Sequence, residues 1–197
     1  MELAALRDTM LAILGIDSVD GMSEALMLAA MSGDERVLDA VRAAFPDLSR
    51  DWLRPLFQYY LADREQKKQD FTPASLAALM NGLAGKAETL VDMCAGSGAL
   101  TISAWAADPQ RSFELFEVDG QVVSFLIFNL VLRNMNATVH HQDVLQGREF
   151  ALYTVSAGKK YSSVKVLSFD DKSVCQQSAV QYGMEKTDDR QGSLLAL

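Results

Sequence analysis

Residues 92–98 read Asp-Met-Cys-Ala-Gly-Ser-Gly and follow the apolar run Thr-Leu-Val at residues 89–91. A strand that ends in a glycine-containing turn and leads into a helix is typical of a loop that holds a cofactor. The two glycines allow the backbone to turn sharply and to approach a ligand where a Cβ atom would obstruct it. The carboxylate of Asp92, at the end of the strand, can accept hydrogen bonds from that ligand. We therefore interpret residues 92–98 as a cofactor loop.

Strands and helices alternate around and after this loop. Residues 89–93, 113–117 and 138–140 have the composition of strands, and residues 99–107 and 121–135 between them have helical periodicity. Right-handed crossovers in such a βαβαβ unit make the strands parallel, with ligands bound outside their carboxyl ends. The pattern thus predicts an α/β protein with a Rossmann-like fold.

The chain divides into three regions by composition. Residues 1–67 carry apolar side chains at helical spacing and predict an N-terminal helical segment. Residues 68–167 contain the alternating pattern and form the predicted cofactor-binding domain. Residues 168–197 are polar and aperiodic, so we expect this tail to be poorly packed or ordered only by a partner.

Local signals indicate where several elements begin and end. In the helical segment, Gly15 and Gly33 are placed as C-caps, and Asp34 and Ser49 as N-caps, of four short helices. Beyond residue 147 only residues 161–167 alternate well enough to predict a further strand.

Composition excludes several classes of protein. With 197 residues, of which 49% are hydrophobic, the chain can bury a core. A net charge of −8 opposes non-specific attraction to a polyanion, so DNA contact requires a local basic patch or a partner subunit. Two cysteines and two adjacent histidines make no metal-binding pattern, and we expect no metal site. The longest apolar run, residues 122–132, is too short to span a bilayer, and we expect a cytoplasmic protein.

Acidic residues at the ends of the predicted strands indicate which cofactor the loop holds. Glu117 can accept hydrogen bonds from both hydroxyls of a ribose, and Asp143 can accept one from an adenine amine. The loop can hold the amino-acid part of S-adenosylmethionine (SAM), which we predict as the cofactor. A dinucleotide fits less well because its fingerprint requires glycine or alanine where this chain has Thr101. Each acid also has a plainer interpretation, Glu117 as a solvated strand end and Asp143 as a turn former.

Other reactive or aromatic side chains are interpreted as structural. Cys94 has no neighbouring base and is predicted to pack beneath the loop and not to act as a nucleophile. His140 and His141 alternate across a strand end, so at most one of them can face the site. Core or domain-interface packing is predicted for four aromatic residues at helical spacing, Trp52, Phe57, Tyr59 and Tyr60.

With these residues in place, residues 48–147 resemble the amino-methylating DNA methyltransferases, particularly the adenine-N6 enzymes and methylation subunits of restriction-modification systems. Phe71, Thr72 and Pro73 match a turn that implies contact with the methionine end of SAM. Residues 92–98 match the family's SAM loop, Glu117 its ribose-binding acid and residues 142–144 its adenine-binding step. The cofactor-binding residues that follow are Phe71, Thr72, Pro73, Asp92, Cys94, Ala95, Gly96, Ser97, Gly98, Glu117, Val118, Asp143 and Val144.

The resemblance implies a Rossmann-like SAM-dependent methyltransferase fold and DNA as the partner, bound together with a partner subunit. The family's catalytic signature, Asn or Asp followed by Pro-Pro and an aromatic residue, is missing because the prolines stand apart at positions 46, 55, 73 and 109. The catalytic residues therefore remain unknown at this stage. Two alternatives stay open: a SAM-binding subunit or remnant that works with a partner, and a methyltransferase for a protein or a small molecule.

Overall fold

The computed structural model describes residues 2–62, 74–85 and 87–167. The helices are α1 (Leu3–Leu14), α2 (Met22–Ser32), α3 (Glu35–Ala44), α4 (Arg54–Leu56), α5 (Ala74–Ala84), α6 (Ala99–Ala107) and α7 (Gly120–Leu132). A 3₁₀ turn, Val19–Gly21, precedes α2, and a π-helical turn, Phe57–Leu61, continues α4. The strands are β1 (Thr89–Asp92), β2 (Ser112–Glu117), β3 (Asn136–Asp143), β4 (Arg148–Ser156) and β5 (Ser163–Leu167).

The strands form one mixed sheet in the order β1-β2-β3-β4-β5. β1, β2 and β3 are parallel, whereas β4 and β5 add to the sheet in antiparallel orientation. Asp92 is paired with Leu115 and Glu117 with His141, so the carboxyl ends of the parallel strands lie at one edge. The predicted βαβαβ unit and the Rossmann-like fold are confirmed.

The sequence interpretation of the region after β2 needs two corrections. β3 spans Asn136–Asp143 and not residues 138–140 alone, and β4, at Arg148–Ser156, was not predicted. β4 escapes a period-two pattern because most of its side chains are half-buried on both faces, and the β3–β4 register shifts at a bulge between His141 and Gln142. β5 falls within the predicted residues 161–167.

Helix α7 is the centre of the core, and every side chain from Val122 to Leu132 is buried. It packs against β2 and β3 on one side and against α2 of the helical segment on the other. A helix enclosed in this way must be apolar all round, which explains the long apolar run in the sequence. It ends at Leu132 and not at residue 135, because Asn134 adopts a left-handed conformation with φ 57°.

The helical segment, α1–α4, largely follows its local signals. Gly15 and Gly33 end α1 and α2 with φ of 69° and 63°, and the side chain of Asp34 accepts a hydrogen bond from the Val37 N–H. Ser49 is predicted as the N-cap of the last helix, but the N-cap of α4 is Leu53, and Asp51 accepts from the N–H groups of Leu53 and Arg54. Ser49 instead donates from its hydroxyl and its N–H to Asp47.

The aromatic residues of this segment are mostly core residues, as predicted. Phe57 is buried with its ring centroid 5.2 Å from that of Phe125, and Trp52 packs at 5.5 Å on Phe45. Tyr59 is the exception, since it is 72% exposed. In the part of the chain that the structure describes, no helix has the length and apolarity to cross a membrane.

A second link joins the helical segment to the far end of the sheet. Asp39 on α3 accepts hydrogen bonds from the Lys160 ammonium, at 2.8 Å, and from the Tyr161 hydroxyl, at 2.5 Å. The boundary predicted at residue 67 and the predicted tail, residues 168–197, lie outside the described residues.

Candidate cofactor site

The loop of residues 92–98 leaves β1 and turns back over the end of β2. The Cys94 N–H donates to Asp92 Oδ1 at 3.2 Å, and the Ala95 N–H donates to the carbonyl of Phe116 at 2.9 Å. The Gly98 N–H then donates to the Ala95 carbonyl at 2.9 Å, which leads directly into α6. The loop is thus anchored to both parallel strands whose ends it covers.

Two positions in the loop need glycine. Gly96 has φ 56° and Gly98 has φ 97°, a region that side chains with a Cβ atom rarely enter. A Cβ atom on Gly98 would also lie 3.0 Å from Cδ1 of Leu126 on α7. The backbone at Gly98 therefore leaves little room for a side chain against α7.

We expect Gly98→Ala to lower the free energy of unfolding by about 2 kcal/mol, because it combines backbone strain with a contact against Leu126. Urea unfolding followed by tryptophan fluorescence measures this loss. Gly33→Ala is the matched control, since Gly33 has φ 63° and nothing within 4 Å of the added atom. The loss should be smaller there, and equal losses would contradict the assigned contact.

Glu117 at the tip of β2 reaches across to this loop. Its Oε2 accepts from the Gly96 N–H and its Oε1 from the Asp119 N–H, both at 2.9 Å. Burial raises the pKa of Glu117 above its ordinary value, and the N–H groups of Asp119 and Gly96 oppose that rise. Each carboxylate oxygen retains acceptor capacity after these bonds, so the side chain can still accept from the two hydroxyls of a ribose.

Asp92 faces the same edge of the sheet and has an unsatisfied atom. Its Oδ2 is buried without a hydrogen-bond partner, whereas Oδ1 accepts from Cys94. Burial raises the pKa of Asp92, and the Cys94 N–H opposes this rise. A ligand that brings a cation or an N–H donor to Oδ2 would satisfy it. SAM, whose amino-acid part is an ammonium donor and whose ribose has two hydroxyls, fits the pair of carboxylates.

The comparison with protein families gives the same result. Residues 66–155 match the family model described as methyltransferase small domain. This part of the chain is similar to SAM-dependent methyltransferases. Its match includes the loop, Glu117 and Asp143, and SAM is the methyl donor of this family. The comparisons with curated proteins and with solved structures gave no match.

The opposite end of the candidate site, where the adenine of SAM is predicted to lie, is between the ends of β2 and β3. Val118 is 53% exposed at the tip of β2, and its carbonyl accepts a hydrogen bond from His141 Nε2 at 3.1 Å, which places the ring proton on that nitrogen. The His141 ring also packs on Phe150 at 4.8 Å. Gly120 lies close beside it, since an added Cβ atom would be 3.1 Å from Cε1 of this ring and the ring would have to shift. His141 is thus the histidine that lies beside the end of β2, whereas His140 is 2% exposed.

Asp143 is the last residue of β3, and Val144 follows it at the same edge of the sheet. Asp143 Oδ1 accepts from the N–H groups of Leu145 and Gln146, both at 3.0 Å, so this carboxylate forms the turn before β4. The turn-forming interpretation of Asp143 is therefore correct. Contact of Asp143 Oδ2 and of Val144 with the adenine ring stays a prediction.

The remaining predicted site residues have different outcomes. Cys94 was expected to pack beneath the loop, but it is exposed, because the loop turns its side chain away from the core. Burial and the carboxylates of Glu117 and Asp92 raise the pKa of the Cys94 thiol, which disfavours the nucleophilic thiolate. Phe71, Thr72 and Pro73 lie outside the described residues.

The sequence did not indicate which side chains hold the loop on the side that faces the helical segment. The Ser97 hydroxyl donates to Asp51 Oδ2 at 2.6 Å, and Asn129 Nδ2 donates to Asp51 Oδ1 at 3.0 Å and to the Ser97 carbonyl at 2.9 Å. Arg133 donates in turn to Asn129 Oδ1 at 2.8 Å. The only sequence signal was Asn129 itself, an amide in an otherwise apolar helix, which must find partners when it is buried.

Proposed function

We propose that this chain takes part in methylating the exocyclic amine of adenine in DNA, as the SAM-binding component of a restriction-modification type methyltransferase, and that it works with a partner subunit. The observation that carries the proposal is the order of the motifs along the chain: the Phe-Thr-Pro sequence at residues 71–73, the loop at residues 92–98, and the acids Glu117 and Asp143. The Phe-Thr-Pro sequence favours an adenine-N6 enzyme in particular, whereas the family match indicates only a SAM-dependent methyltransferase.

The chemistry explains why a partner is needed. SAM, when bound, supplies an activated methyl group on a sulfonium. An adenine amine is a poor nucleophile because its lone pair is delocalised into the ring, so acceptors must take its protons during transfer. Pro-Pro is absent from the sequence, and with it the turn that presents those acceptors in the resembling family.

The open edge of β1 supports docking of the subunit that carries this signature. Among the described residues β1 pairs only with β2, and Val91 on β1 is 38% exposed. Helix α5, which packs on α6, exposes Leu79 by 59% and Leu83 by 75%. A parallel strand added at this edge would end beside Asp92, where the methyl donor is predicted to lie. The acceptor groups of the partner would then reach the methyl group directly.

The negative charge of the chain also supports a partner subunit that contacts the DNA. The site is bordered by Asp92, Glu117, Asp119 and Asp143, and the whole chain carries a net charge of −8. A DNA phosphate backbone would be repelled by this surface, so the partner must supply most of the cationic contacts.

The test is transfer of labelled methyl from SAM to unmethylated bacterial DNA, with nucleoside analysis for N6-methyladenine. We expect SAM binding by the isolated chain, and label in N6-methyladenine only for the chain purified together with its subunit from native cells. Asp92→Asn in the same preparation is the control and should abolish the label. Transfer by the isolated chain would overturn the partner requirement, and absence of N6-methyladenine from the complex would overturn the acceptor.

A second candidate is a methyltransferase that acts on a protein or a small molecule. The acidic border of the site favours it, because a neutral or cationic acceptor would not be repelled. Label in protein or in low-molecular-weight material, and none in DNA, would distinguish this function from the first.

A further inference from the structure

A buried polar network joins the helical segment to the loop that holds the cofactor. Asp51 precedes α4, Ser97 lies in the loop, and Asn129 and Arg133 lie at the end of α7. Ser97 has no exposed surface, Asn129 is 1% exposed and Arg133 is 4% exposed. Asp51 is half-buried. Because water cannot replace the hydrogen bonds among the three buried side chains, each of these bonds determines where its partner lies.

Asp51 is held rigidly before it meets the loop. Its Oδ1 accepts from the N–H groups of Leu53 at 3.1 Å and Arg54 at 3.0 Å, so the carboxylate is fixed to the start of α4. Its Oδ2 is then presented to the Ser97 hydroxyl at 2.6 Å, a short charge-assisted bond.

Arg133 fixes the chain that carries Asp51. Its guanidinium donates to the carbonyls of Leu48 at 2.8 Å and Arg50 at 2.7 Å. Burial lowers the pKa of Arg133 to about 10, and the carboxylates of Asp51 and Asp47 oppose this shift. Asp51 thus gives the buried cation a nearby negative charge without contacting it directly.

The loop needs such support where Ser97 lies. Its neighbours Gly96 and Gly98 both have positive φ, so the backbone there has little conformational preference of its own. The Glu117 carboxylate holds Gly96 from the cofactor side, and Asp51 holds Ser97 from the opposite side.

We propose that Asp51 is a positioning residue for SAM binding, which acts through Ser97 to hold the cofactor loop in its binding conformation. The helical segment is then part of the donor site without contacting the donor. This inference does not depend on which molecule accepts the methyl group.

A double-mutant cycle on Asp51→Asn and Ser97→Ala tests the inference. Asp51→Asn keeps the Oδ1 acceptor at the start of α4 and replaces Oδ2, whereas Ser97→Ala removes only the hydroxyl. We expect each substitution to weaken SAM binding about tenfold in calorimetric titration. The double variant should bind no more weakly than the single variants, because both substitutions change the same bond: Ser97→Ala removes its donor, and Asp51→Asn removes the charged acceptor. Additive losses would overturn the proposal, since they would mean that the two side chains act separately.

The Asp39→Asn variant distinguishes a specific effect on the cofactor loop from a general weakening of the contact between the helical segment and the sheet. It breaks a contact of the same kind between the helical segment and the sheet, with Lys160 and Tyr161, far from the loop. SAM affinity of this variant should stay within about twofold of the parent. An equal loss in Asp39→Asn would overturn the proposal, as would parental affinity in Ser97→Ala.

Amide hydrogen exchange gives a readout that does not depend on SAM. In Ser97→Ala the N–H groups of Gly96 and Gly98 should exchange faster than in the parent, while those of β3 are unchanged. Parental exchange at both glycines would overturn the proposal. If Asp51→Asn does not fold, Ser97→Ala and Asp39→Asn still decide the outcome. No arm of the experiment contains DNA, so failure here is distinguishable from failure of the proposed acceptor.

Discussion

Asp92→Asn is expected to weaken SAM binding about tenfold or more and, at the same time, to raise the stability of the SAM-free protein at neutral pH. Asp92 Oδ2 is buried without a partner, and burial raises the pKa of the carboxyl. Asparagine removes the buried charge, and its Oδ1 can still accept from Cys94. We expect the free energy of unfolding to rise by about 1 kcal/mol.

The pH dependence has a definite sign. Because the pKa of Asp92 is raised in the folded state, the folded protein holds this proton more tightly than the unfolded chain does. The contribution of Asp92 to stability is therefore most favourable at low pH and is lost as pH rises from the ordinary value, about 4, through the raised pKa. Glu117 acts in the same direction. SAM affinity should change oppositely and increase with pH over this window, because the cationic ligand is bound by the ionised carboxylates.

Calorimetric titration with SAM across this pH window and urea unfolding at neutral pH measure both effects. Asp8→Asn is the control, since Asp8 is 63% exposed in an ion pair with Arg7 and should change neither quantity. Undiminished SAM affinity in Asp92→Asn would remove Asp92 from the site. A fall in the stability of the SAM-free variant would mean that the buried oxygen is satisfied in the folded protein.

Arg133→Met should produce the largest loss of stability, about 3 kcal/mol or more. Arg133 donates to the carbonyls of Leu48 and Arg50 and to both the carbonyl and Oδ1 of Asn129. Methionine fills much of the same space, so the substitution leaves these acceptors buried and unpaired without opening a large cavity. A loss of this size corresponds to a fall in Tm of about 10 °C for a chain of this length.

Urea unfolding followed by tryptophan fluorescence measures this loss at two places, because Trp52 lies in the helical segment and Trp105 on α6. If Arg133 holds the helical segment against the rest of the protein, the Trp52 signal should change at lower urea than the Trp105 signal in the variant. Arg36→Ala is the control, since Arg36 is 84% exposed in a surface ion pair and should leave the midpoint unchanged. A parental midpoint in Arg133→Met would contradict the assigned role.

Much of the fold was predictable because its signals are local. The strand, the glycine turn and the helix around residues 92–98 follow one another in the chain, and each has its own periodicity. The caps at Gly15, Gly33 and Asp34 are local in the same way, since glycine tolerates positive φ and aspartate accepts from its own helix. β4 was not predictable because half-burial on both faces and a bulge against β3 remove the alternation.

The residues of the candidate site also divide into those with a local sequence signal and those without one. Asp92, the two loop glycines and Glu117 could be found because each lies at or just after a strand end, and parallel strands end at one edge of a sheet. Ser97 could be identified as a loop residue, but nothing local indicated where its hydroxyl would point. Asp51 gave no local signal, although it is hydrogen-bonded to Ser97 across 46 positions of sequence.

The amino-acid sequence by itself determined the α/β class, the parallel order of β1, β2 and β3 and the chemistry of the cofactor loop. These depend on periodicity and on backbone preferences that act within a few residues. Only the tertiary structure decided that the helical segment supports the loop, through Asp51, Asn129 and Arg133. Whether a buried polar side chain finds a partner depends on which distant groups the packing brings within 3 Å of it, and no local pattern records that distance.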